Sequence, residues 1–339
     1  MNHGLIGLPA RPVAPLLQRG AGLVARTSSR PGYVPGDGKR LAYVPYLKGV
    51  AALSYGSGQY LLFFNERQQL VRRSVSLGIG ANGALCYVPT VGKVAVVGLA
   101  HECPIYLINP RTGAIDAQVE GSAFATTEAA TYLQFAPSTN EVLHGERYND
   151  GAGPPTMVVD VATWARVGPS GGYVTWKKGP FAFAPSTGEV IGLGGGLVIF
   201  VNPATRAVAA TTGVGATPLA LAVDRRLDRV FVAADANVFG FDISSRTLVG
   251  TADVGAGVRA LYCCPTNGLL YASVDGTKQV VAYDVRRGTV VASVTLSVTA
   301  DSLAFNPENG CLYAASNDGA RLTAIRVSDH RVVAELSLV

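Results

Sequence analysis

Two histidines and a scatter of carboxylates are the residues of this chain whose types and spacing could do chemistry. His101 and Glu102 stand together beside Cys103, and His144 and Glu146 open a polar run that continues to Asp150. Imidazole and carboxylate donors in this mixture suit zinc or another first-row metal, and a metal so held acidifies its bound water for hydrolysis. A lactonase or other metal-dependent hydrolase built on His101, Glu102, His144 and Glu146 is the enzymatic reading. A second set, Asp235, Asp275 and Asp318, recurs at nearly even spacing. Three carboxylates brought together would hold a cation or a basic partner. Both sets also have an ordinary explanation. Surface loops are polar as a rule, and Asp275-Gly276 and Asp318-Gly319 are strong turn pairs. On that ground the sequence is expected to carry no catalytic residue, no metal and no cofactor. Gly192-Leu-Gly-Gly-Gly196 lacks the helix and the Lys-Ser/Thr pair that make a phosphate loop work. Lys177-Lys178 beside Trp176 and Tyr173 is a small solvated pair.

The elements that must position these residues form an internal repeat. Residues Leu261–Leu296 superpose without a gap on Leu303–Leu338 at an offset of 42. Leu261, Pro265, Asn267, Gly268 and Tyr271 then meet Leu303, Pro307, Asn309, Gly310 and Tyr313. A period near 42 with strand-like content marks a propeller. Each unit opens with a short apolar strand that stops at a turn residue: Pro45, Pro89, Pro137, Pro185, Asp224, Pro265 and Pro307. Proline ends a ladder without leaving a donor unpaired, and Asn-Gly or Thr-Gly then turns the hairpin. The third strand of most units ends on Asn65, Asn109, Asp160, Asn202, Asp242 or Asp284, whose short side chains start the next turn. Blade seven departs, with Arg326 at that place.

These anchors predict an all-β fold, a seven-bladed β-propeller of four-stranded antiparallel blades over residues 41–339, preceded by an extended arm over residues 1–40. Seven whole blades leave no strand to swap, so closure of the ring is expected from face packing between blades one and seven. A doubly wound parallel sheet would need amphipathic helices between strands, and none is legible.

Composition agrees. Hydrophobic residues make up 48% and charged residues 15%, as strands covered on both faces require. The net charge of +5 resides in residues 1–40, where Arg11, Arg19, Arg26, Arg30, Lys39 and Arg40 face Asp37 alone; the rest of the chain is balanced. A neutral body argues against a nucleic-acid groove. Five cysteines inside apolar patterns read as reduced core residues. No apolar run approaches a membrane span. The prolines at 9, 12 and 15 interrupt any secretory or mitochondrial leader, so an intracellular or virion-associated protein is expected.

From about Pro185 onward the repeats resemble a known family. Phe231-Val-Ala-Ala-Asp235, Tyr271-Ala-Ser-Val and Tyr313-Ala-Ala-Ser-Asn317, followed by strands such as Val280-Val-Ala-Tyr-Asp284, are similar to the YVTN-type propeller repeat of surface-layer and related proteins. The WD40 signature is absent, because neither Trp164 nor Trp176 precedes Asp. The resemblance implies a scaffold with a ligand- or partner-binding rim, displayed outside the cell in some members. The sequence as a whole leads to a non-catalytic docking propeller, held in a larger assembly such as a phage tail or neck. The arm residues named above would contact its protein subunits. A cell-surface or secreted ligand-binding propeller and the metal-dependent hydrolase are the alternatives.

Overall fold

The computed structural model describes residues 40–54, 59–77, 83–97, 104–120, 131–146, 157–167, 180–254, 257–316 and 320–339, except the side chains of Thr131 and Glu146. Within them lie seven four-stranded antiparallel sheets, each paired in strict chain order, arranged as a ring. The chain is a seven-bladed β-propeller. The blades span 41–73, 84–119, 131–166, 181–213, 218–253, 258–295 and 302–337. The only helix among the described residues is one 3-10 turn at Pro45–Leu47, and none is long and apolar enough to cross a membrane.

Burial follows the position of each strand in its blade. First strands neighbour one another around the axis, and second strands such as Leu270–Val274 are buried throughout. Such strands are apolar on both faces because each face meets another blade. Fourth strands such as Thr289–Thr295 are largely exposed. In six blades an extra residue interrupts the pairing of third and fourth strands: Val71, Asp116, Ala209, Val249, Val291 and Val333. A bulge of this kind twists an edge strand and blunts it against pairing with another molecule.

The core is divided among the seven seams. Each of seven apolar clusters draws on two adjacent blades. One packs Leu41, Val50 and Phe64 of blade one on Tyr313, Leu322 and Leu338 of blade seven, which closes the ring by face packing, with no exchanged strand among the described residues. Polar contacts reinforce that seam: Asn306 Nδ2 donates to the Lys48 carbonyl at 2.9 Å and Asn309 Nδ2 to the Glu66 carbonyl at 2.8 Å. Cys86, Cys263, Cys264 and Cys311 are buried within the blades, in keeping with their apolar sequence surroundings, and Cys103 lies outside the described residues.

A recurring clasp adds specificity to the seams. The turn between third and fourth strands ends, in every blade, on a left-handed residue: Gln68, Gly113, Trp164, Arg206, Arg246, Gly288 and His330. That conformation costs a non-glycine residue roughly 1–2 kcal/mol. Five of these residues carry side chains, which reach back to the preceding blade. Arg206 donates to Glu141 Oε1 at 3.2 Å, and Arg246 to Glu189 Oε1 at 2.7 Å. His330 Nδ1 lies 3.3 Å from Tyr271 Oη, Gln68 approaches Cys311 Sγ at 3.9 Å, and Trp164 joins the cluster shared with blade two. Gly113 has a steric cause: a Cβ there would lie 2.7 Å from the Arg73 carbonyl of blade one. Glu189 is 9% exposed and Arg246 35%, so their pair is only partly desolvated. A double-mutant cycle on Glu189→Gln and Arg246→Gln should give a coupling of about 1–2 kcal/mol by urea denaturation. A coupling near zero would show that the clasp orients the blades without stabilising them.

Candidate functional site

The two ends of the ring differ in construction. One carries the turns between first and second and between third and fourth strands, with the clasps. The other carries the connections between second and third strands and between successive blades. The second end is where the chemistry-bearing residues of the sequence were expected.

His101, Glu102, Asp150 and Asp318 lie outside the described residues, as do Arg11, Arg19, Arg26, Arg30 and Lys39. Neither His144 nor Glu146 is on a loop. The second strand of blade three runs Glu141–Glu146, two residues farther than its apolar pattern indicates, and the backbone of Glu146 pairs with that of Thr131. His144 stands between Leu133 and Met157 on neighbouring strands and is 2% exposed. Burial disfavours the imidazolium and lowers its pKa to about 4. His144 is therefore a neutral residue of the blade body and not a rim group, a correction to the loop placement. The cause is local: the Val142–His144 alternation keeps it on the face that blade three turns to its neighbour. Among the described residues no three His, Cys, Asp or Glu side chains come together to hold a metal ion.

The carboxylates of blades five and six behave differently from one another. Asp235 sits exposed in its turn with φ +52°, a left-handed position that aspartate tolerates. Asp275 instead forms part of a triad. Arg259, on the first strand of blade six, donates through Nε to Asp275 Oδ1 at 2.7 Å. Through Nη1 it donates to Asp301 Oδ1 at 3.0 Å, on the connection into blade seven. Burial opposes the guanidinium charge, but the hydrogen bonds to Asp301 and Asp275 outweigh it and raise the pKa of Arg259. Asp275 is thus paired within the protein, in a cluster where one guanidinium serves two carboxylates. The sequence reading missed Arg259 and Asp301. A signal was present: Arg259 and Asp301 occupy the same place in successive repeats at the offset of 42, with opposite charge.

Arg40, grouped by composition with the arm, belongs to the ring. It is 4% exposed; its N–H donates to Ser302 Oγ of blade seven at 3.2 Å, and its carbonyl accepts the Leu53 N–H at 3.1 Å. A backbone pairing with the second strand of blade one explains this, since it continues the first strand by one residue. Arg40 is accordingly a seam residue and not a partner contact of an extended arm. No family model matches the chain, and no curated protein matches it in sequence.

Proposed function

We propose that this propeller is a non-catalytic docking module, tied into a larger protein assembly by the segment that precedes Arg40. The observation that carries the reading is the anchorage of Arg40. Its backbone is bonded to both blade one and blade seven, so residues 1–39 join the ring at its closing seam, beside the innermost strands. Those residues hold Arg11, Arg19, Arg26, Arg30 and Lys39, while residues 41–339 are charge-balanced. A cationic segment fixed at one end to a neutral, rigid ring suits attachment to an acidic protein surface, with a contribution that salt weakens. The rim chemistry fits the same reading, because His144 is inside a blade and Asp275 is paired with Arg259.

Removal of residues 1–39 tests it. In native extracts the full chain should elute in particles far larger than the 35.1 kDa monomer. The truncated chain should elute as a monomer with an unchanged melting temperature. Retention of the truncated chain in the large particles, or a monomeric full chain, would overturn the proposal.

A further inference from the structure

One seam breaks the clasp pattern without a steric reason. Between blades four and five the outer part of the seam is filled by Glu189, Phe200 and Arg246, with the Arg246 guanidinium 5.6 Å from the centre of the Phe200 ring. The corresponding residues between blades five and six are Arg229, Gly240 and Gly288. The acid has become a base, the ring has gone, and the clasp side chain has gone. Unlike Gly113, Gly288 is not forced: a Cβ there would meet nothing nearer than the Tyr283 hydroxyl at 3.6 Å. Phe231 leans into part of the vacated space, 3.0 Å from where a Cβ of Gly240 would be. What remains is a cleft of about 100 Å³ between the faces of the two blades, with Arg229 at one end and Val249 and Gly250 of the outer strand at its mouth.

The Arg229 guanidinium makes no hydrogen bond or ion pair among the described residues. Its neighbouring charge is Asp242, across the strand pair, and that carboxylate already accepts the Ser245 N–H and hydroxyl at 2.7 and 2.8 Å. Metabolite pockets run to about 300–1,000 Å³, so this cleft has room for one side chain. At its mouth Val249 is 44% exposed and Leu248 beside it 53%, an apolar pair on an edge strand.

We propose that the cleft between blades five and six receives an acidic side chain, flanked by apolar residues, from an extended segment of a partner protein. The partner's carboxylate would meet Arg229 as Glu189 meets Arg246 in the preceding seam, with the charges exchanged. Its apolar neighbours would cover Leu248 and Val249. This surface is on the circumference, at the outer strand of blade five.

The test uses the full chain and two capped pentapeptides, one with a central glutamate between valines and one with glutamine in its place. Amide resonances of Arg229, Gly240, Gly250 and Gly288 should shift saturably with the glutamate peptide, and the glutamine peptide should bind about tenfold more weakly, as loss of a charge-assisted hydrogen bond implies. Arg229→Gln should abolish that difference. Gly250→Leu, at a position where a Cβ meets no atom within 4 Å, should block both peptides without unfolding the blade. Equal binding of the two peptides, an undiminished preference in Arg229→Gln, or no saturable shift would overturn the proposal. So would saturation of the cleft by butyrate alone with the peptides inactive, which would make it a small-anion site.

Discussion

Replacing Gly49 with alanine should destabilise the ring by about 3 kcal/mol or prevent its folding, the largest loss expected from any single methyl group here. Gly49 opens the second strand of blade one. A Cβ built on its backbone would lie 1.8 Å from the Phe64 carbonyl oxygen and 2.9 Å from the Asn65 Cα. Neither neighbour is the end of a flexible side chain, so only a shift of the third strand relieves the overlap. That strand carries Phe63 and Phe64, which pack on opposite sides into the clusters shared with blades two and seven. Displacing it therefore disturbs two seams, one of them the closing seam. Gly213→Ala is the control, because a Cβ at Gly213 meets nothing within 4 Å. Its stability in a urea titration should change by no more than about 0.5 kcal/mol, whereas a similarly small change in Gly49→Ala would disprove the steric account.

The second large effect is a loss of stability in mild acid that traces to His144. In the folded chain its pKa is about 4 against an ordinary value of 6.5. The unfolded chain therefore binds the extra proton first. Stability from this residue is complete above about pH 6.5 and falls as pH drops toward 4, below which the loss is constant. A depression of that size corresponds to roughly 3 kcal/mol. His144→Phe should remove this part of the pH dependence: the difference in unfolding free energy between variant and parent should change by about that amount between pH 7 and pH 4. A difference independent of pH would mean that the imidazolium keeps its proton inside the blade by donating a hydrogen bond to an acceptor there.

The sequence disclosed much of the fold because its signals were local. Pro89, Pro137 and Pro185 directly follow the first strands of their blades, as the loss of a ladder donor requires. Asn65, Asn109, Asp160, Asn202, Asp242 and Asp284 each accept a backbone N–H two or three residues on. The Thr163 N–H and hydroxyl hold Asp160 below the usual carboxylate range. Even the exception is chemically consistent. Arg326, which stands where the acid should be, closes its turn by donating to Asp329 at 2.6 and 3.0 Å. What could not be read were contacts between residues 57 or 65 positions apart, such as Arg246 with Glu189 and Arg206 with Glu141. These depend on how one blade is rotated against the next, and no periodicity within a strand encodes that rotation. The same limit misplaced His144, whose polar type suggested a loop although strand pairing carried it two residues deeper.

The turn-ending residue of each blade also answers a problem that any ring of similar units faces. Strands built from interchangeable Val, Ala and Leu have little means of distinguishing one neighbour from another, and a duplicated repeat begins as its twin's equal. A histidine at Tyr271, a glutamine at Cys311 and a tryptophan against blade two give three junctions chemistry of their own, while two others share an arginine–glutamate pair and two carry glycine. Blades can then share a common interior while drifting apart at a single outward position.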